Sequence, residues 1–227
     1  MKTTCTFVRA LLLIASLLLA ASLTTQAIKY FTGHARLLGI TDLLNVNGEV
    51  NVPTFFSVLL LLTCSSLLGF VAYLKKTQRA TYSLHWLILS LGFLFMAADE
   101  FMGFHERLNE VTDQQVGLVD STWLKYSWVI PGLFVIMLIG ISYIRFLQQL
   151  ARAHRIRFML AGALYCTGII GVEMVGAHHA ALHSSFNFAY SLLSTLEEGM
   201  EMMGLILFIN ALIHYTREQY PHIRIRP

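Results

Sequence analysis

The chain has 227 residues, 56% of them hydrophobic and only 13% charged, with a mean hydropathy of +0.63. Soluble domains carry about 25% charged residues, so this composition excludes an ordinary water-soluble domain and points to apolar solvent around the fold. The net charge of +3 is too small to name a partner, and the length suits a single integral membrane domain over residues 1–227.

A helix needs about 20 apolar residues to cross roughly 30 Å of hydrocarbon. Six stretches qualify in chain order: Arg9–Ile28, Thr54–Leu74, Tyr82–Phe104, Tyr126–Phe146, Phe158–His179 and Asn187–Ile213. The expected fold class is therefore all-α, a polytopic transmembrane helical bundle of about six spans, with short connections that favour antiparallel neighbours. The first span has a second reading. Lys2 and Arg9 precede an apolar run, and Thr25-Gln26-Ala27 loosely resembles a cleavage site, so a secretory signal would leave five spans.

Lys and Arg set the orientation. With the N-terminus cytoplasmic, the inner segments hold Lys2, Arg9, Lys75, Lys76, Arg79, Arg145, Arg152, Arg155, Arg157, Arg217, Arg224 and Arg226. The outer segments hold only Lys29, Arg36, Arg107 and Lys125. Both termini are expected in the cytoplasm, in a plasma membrane or bacterial inner membrane, with membrane lipid as the surrounding partner. The basic residues form no single patch, so no nucleic acid is expected. Arg36–Val46 reads as a short amphipathic helix on the outer surface. Ile144–Arg157 reads as an extension of the fourth helix into the inner headgroups. Cys5, Cys64 and Cys166 have no knuckle or disulfide spacing and read as small packing residues. Met96, Met102, Met174, Met200, Met202 and Met203 read as apolar packing before copper ligands.

Ionisable residues inside a span cost about 2.5–3.5 kcal/mol each on insertion scales, yet this chain has many. Asp99, Glu100, His105 and Glu106 close the third span; Glu173, His178, His179 and then His183 lie along the fifth; Glu197, Glu198 and Glu201 lie on the sixth. At about 1.5 Å per residue, Glu100 and Glu173 lie roughly 6–9 Å below the outer ends of their helices, and Glu197 and Glu198 roughly 15 Å below theirs. All fall in the outer half or near the middle. Glu-x-x-Gly occurs at Glu100–Gly103, Glu173–Gly176 and Glu201–Gly204, twice with a His two residues later. The Gly leaves room for a neighbouring helix or a ligand. Glu and His five apart are about 140° apart on an ideal helix, so they meet only where the helix loosens. Glu197 and Glu201, or Glu198 and Glu201, share a face. Three carboxylates in one turn of an apolar helix must share protons, find cations or bind metal.

The first expectation is a metal site on the outer side from Glu100, His105, Glu173, His178, Glu198 and Glu201, with Glu197, His179, His183 and Asp99 as alternates or supporting partners. In ligand count it resembles the di-iron carboxylate bundles, although no Glu-x-x-His occurs here. Mixed O and N ligands suit a divalent transition metal, Fe, Mn or Zn, with room for two ions. Such a site would serve an oxidoreductase acting on a hydrophobic, lipid-soluble substrate, or a hydrolase. Alternatives are a proton or cation relay, a zinc hydrolase on His179, His183 and His105, and haem between His105 and His178 or between His85 and His214. A non-catalytic subunit of a larger membrane complex is a further alternative. The plain alternative is polar glue between helices, with Asp99, Glu106, Glu110, Asp113 and Asp120 as solvated or capping residues of an outer loop.

Overall fold

The protein is seen in a computed structural model that describes residues 2–33, 39–105, 107–109 and 122–221, with side chains from Thr6 onward. Arg36, Glu106, Glu110, Asp113, Asp120, Arg224 and Arg226 lie outside the described residues, as do the side chains of Lys2 and Cys5. Most of the described residues are helical, with no strand among them. The long helices are α1 (Lys2–Thr32), α3 (Val52–Thr77), α4 (Ser83–Met102), α5 (Val129–Gln149), α6 (Arg152–His183) and α7 (Phe188–Gln219), with the five-residue α2 (Ile40–Leu44) between α1 and α3.

Five of these, α1, α3, α4, α5 and α6, are long and apolar enough to cross a membrane. The sixth expected span, α7, is long enough at 32 residues but is not among the five. It carries the three glutamates and forms the buried centre of the bundle. The chain is a polytopic helical membrane protein. Leu138, Ile141, Leu160 and Leu91 are exposed on its outside, as expected where lipid replaces water.

Side chains of α7 enter both parts of the core. Near mid-depth, Met202, Leu205, Ile206 and Ile209 pack against Phe56, Leu60, Leu61 and Cys64 of α3, Ala97 of α4 and Ala15 of α1. Toward the end bearing Lys75 and Arg152, Leu212 and Tyr215 join Leu68, Val71, Trp86, Phe146 and Phe158. Between α3 and α4 two serines bond reciprocally, Ser65 Oγ to Ser90 O and Ser90 Oγ to Ser65 O, each at 2.8 Å. Such pairs hold helices where apolar burial gives no preference over lipid.

Helix ends follow local chemistry. Asn51 caps α3 by accepting from Thr54 N at 2.9 Å, and Asn187 caps α7 by accepting from Tyr190 N at 2.8 Å. Each cap satisfies an otherwise orphaned amide. Ile144–Arg157 is not one extended helix. Leu150 and Ala151 are extended, with ψ of 142° and 140°, and α6 starts at Arg152. The reversal lets Leu147 and Leu150 pack on the Trp86 cluster. The amphipathic segment after α1 is shorter than expected, a five-residue helix entered through Gly39 at φ 82°; residues 34–38 lie outside the described residues.

Candidate functional site

Opposite the Lys75 end, the helices part around a cavity of about 560 Å³. Glu100 and Asp99 reach it from α4, Glu173 from α6, and Glu197, Glu198 and Glu201 from α7. His105 lines it too, as do Glu49 and Asn47 from the α2–α3 connection, and Gln26, Lys29 and Tyr30 from α1. One turn deeper the space closes, because Met202, Leu205 and Ile206 are fully packed.

Each carboxylate arrives by a local device. On α4 the helix stops at Gly103, whose φ of 61° is left-handed and suits a residue without a Cβ. The chain then turns back. His105 N donates to Asp99 Oδ1 at 3.0 Å, and His105 Nδ1 stands 3.0 Å from Asp99 Oδ2. That is the loosening that the spacing of Glu100 and His105 demands, and Glu100 lies within electrostatic reach of His105, Asp99 and Glu49. A Cβ on Gly103 would fall 2.5 Å from Glu49 Oε1, so the bare glycine is also the seat of that carboxylate.

On α6 the loosening sits earlier. Thr167–Val172 forms a π-helical segment just ahead of Glu173. A π-bulge adds a residue to one turn and often marks a functional site. Gly168 in that segment lets α6 approach α7 closely. A Cβ there would lie 3.1 Å from Glu197 O and from Glu201 Cγ. Gly204 does the same in return, with Tyr165 N and Cβ 2.9 Å from the position of an added Cβ.

The carboxylates form one electrostatic group. Glu197 and Glu173 lie within close electrostatic reach of each other, and Trp128 Nε1 donates to Glu173 Oε1 at 3.3 Å. Glu201 lies within electrostatic reach of Glu100, Glu173 and His105, with Tyr165 beside it. Glu198 lies within reach of Glu201, Glu100 and Glu173. Carboxyls crowded in one buried space need protons or cations among them. Among the described residues, no three His, Cys, Asp or Glu side chains already stand as a metal-ligand group. The carboxylates line the walls of one space rather than meet at a point.

Three expected histidines do not line this cavity. From Glu173 to His183 the helix is regular, so Glu173 and His178 stay about 140° apart. His178 turns away, its Nδ1 2.8 Å from Thr122 Oγ1 and its ring stacked on Trp123 at 4.1 Å. His179 Nε2 lies 3.1 Å from Asn187 Oδ1, and its ring stacks on that of the exposed His183 at 5.0 Å. His105 and His178 are thus engaged separately. At the other end, His85 stacks on Phe146 at 5.7 Å, while His214 is exposed.

Several lining residues carried no sequence signal. Glu49, Tyr165 and Trp128 are ordinary residue types outside the Glu-x-x-Gly pattern. Gln26 is the sharpest case. It is 3% exposed, and its Nε2 has no hydrogen-bond partner among the described residues. An unmet buried donor costs about 1–3 kcal/mol.

Fold and cavity together define a class: a helical membrane protein with an acidic, half-buried chamber between its spans. The chain belongs to the family described as Domain of unknown function (DUF8692), whose match covers residues 6–216. No curated protein and no solved structure matches the chain.

Proposed function

We propose that this protein binds a divalent transition metal, Fe, Mn or Zn, in the acidic cavity, with space for two ions. One observation carries the proposal: glutamates from three helices line a single cavity whose described lining holds one lysine, Lys29, and no arginine. So much like charge in a low-dielectric space is held together by cations or by shared protons. Glu100, Glu173, Glu198 and Glu201 with His105 are the proposed ligands, closing on the ion by side-chain rotation, and Glu197 and Asp99 support them. Such an O-rich set with one imidazole suits Fe or Mn first, which favours an oxidoreductase acting on a lipid-soluble substrate. His178 drops out of the ligand set, and the zinc-hydrolase alternative keeps only His105 of its three histidines at the cavity.

The Lys and Arg distribution supports a reading with the cavity on the outer side and both termini cytoplasmic, in a plasma membrane or bacterial inner membrane. A second alternative, a proton or cation relay, draws support from the closeness of the Glu173 and Glu197 charges. Against it stands the packed apolar layer of Met202, Leu205, Ile206 and Ile209 below the cavity among the described residues. The exposed apolar length of α5 also suits a subunit of a larger complex.

Metal analysis of protein purified without chelator tests the proposal. One to two equivalents of Fe, Mn or Zn, lost in Glu201→Gln, are expected. A metal-free wild-type protein that takes up none on titration would overturn it. Flux in proteoliposomes that vanishes in Glu201→Gln would favour the relay instead.

A further inference from the structure

Past the packed rings, the Lys75 end of the bundle holds a second, smaller cavity of about 150 Å³. Drug-sized ligands fill about 300–1,000 Å³, so this space suits a small group. It shares no lining residue with the acidic cavity, and its chemistry is the reverse. Lys75 lines it, and no described Asp or Glu does. Thr81, Gln149 and Gln219 add a hydroxyl and two amides.

Lys75 is half-buried, yet it pairs with no carboxylate among the described residues. Its Nζ stands 5.7 Å from the ring centres of both Tyr215 and Tyr220. Ring faces attract an ammonium but leave its charge in place. Glu218, next to Gln219 in the chain, is turned to His154 Nε2 at 3.1 Å. A cation partly withdrawn from water with no counter-ion favours an anion beside it. Two helices add to the positive potential. α4 and α6 both begin at this cavity, at Tyr82 and Ala151, without a side-chain cap, and helix N-termini carry partial positive charge.

Position names the source of the anion. The lining comes from where spans end: Lys75 in the last turn of α3, Tyr82 just before α4, Gln149 at the end of α5 and Ala151 just before α6. The ends of apolar spans lie at the depth of lipid head groups. Lys76, Arg79 and Arg152 are exposed at the same end, and basic pockets between spans bind anionic head groups.

We infer that this cavity seats the phosphate of an anionic membrane lipid on Lys75 Nζ, with the acyl chains left outside. The site is separate from the acidic cavity and stands or falls without it.

Native mass spectrometry of the full chain in detergent, titrated with phosphatidylglycerol, phosphatidylcholine or inorganic phosphate, tests it. One phosphatidylglycerol per chain is expected to bind tightly. Phosphatidylcholine, whose own ammonium offsets its phosphate, is expected to bind weakly. Lys75→Gln should weaken phosphatidylglycerol binding about thirtyfold, the worth of one charged hydrogen bond, without change in helix content or bound metal. Lys76→Gln, which removes an equal charge outside the cavity, should weaken it no more than about fivefold. Equal binding of the two lipids, or equal loss in the two variants, would overturn the inference and leave a diffuse surface attraction. Inorganic phosphate that displaces the lipid would overturn the lipid as the source. If Lys75→Gln does not fold, the comparison of the two lipids on the wild-type chain decides.

Discussion

The two ends of the bundle use the same long helices to opposite effect. At the Lys75 end, α7 brings Leu212 and Tyr215 into a packed set of rings, and Trp86, Phe146 and Phe158 leave little space. At the other end the same helix brings Glu197, Glu198 and Glu201 to an open cavity. The helix is continuous across both, from Phe188 to Gln219, so the difference lies in side chains and in what the neighbouring helices do. Near the packed end, α3 and α4 are regular and pinned by the Ser65–Ser90 pair. At the cavity, α4 stops at Gly103 and α6 loosens over Thr167–Val172. Irregular backbone at membrane depth is tolerated where it lines a cavity. The stable end holds the helices in place, and the cavity spends part of that stability on crowded charge.

Substitutions at the two ends should therefore behave oppositely. The largest effect is expected in the packed core, where Ile209 and Leu212 are fully buried: Leu212→Ala should cost about 2–5 kcal/mol, read as a lowered thermal midpoint in detergent. Gly204→Ala comes next, because its Cβ would meet the Tyr165 backbone at 2.9 Å. Overpacking of this kind costs about 1–3 kcal/mol, and here it should also lower metal uptake by pushing α6 away from α7 beside Glu201. His178→Ala should cost about 1 kcal/mol through its lost contact with Thr122, with metal content unchanged. Smallest, and opposite in sign, is Glu197→Gln. It removes one of several crowded carboxylates, so the metal-free protein should be as stable as wild type or slightly more so. A clear loss of stability there would mean that the carboxylates are held by internal pairing and act as glue.

Sequence alone makes the helices legible because apolar length is a strong signal. Each of the six stretches holds a long helix, and Glu100, Glu173, Glu197, Glu198 and Glu201 stand out as charges where charge is costly. What is not legible is direction. Glu100 and His105 share the same spacing as Glu173 and His178, yet only the first pair comes together, since Gly103 ends its helix while Gly176 sits inside one. A Glu-x-x-Gly pattern does not tell a helix-stopping glycine from a packing glycine. Glu49 escapes notice for another reason: it is placed by a fold-back, with Val46 N bonded to the buried Ser22 Oγ at 3.1 Å, and no local periodicity encodes that contact. The break at Leu150–Ala151 lacks Gly or Pro and is set by packing.

Metal titration of three single variants, one from each contributing helix, tests the central claim most directly. Glu100→Gln, Glu173→Gln and Glu201→Gln should each weaken binding of the same ion by about tenfold or more, which is about 1.4 kcal/mol or more. Weakening by the α7 variant alone, with α4 and α6 variants binding as wild type, would contradict a cation shared by three helices.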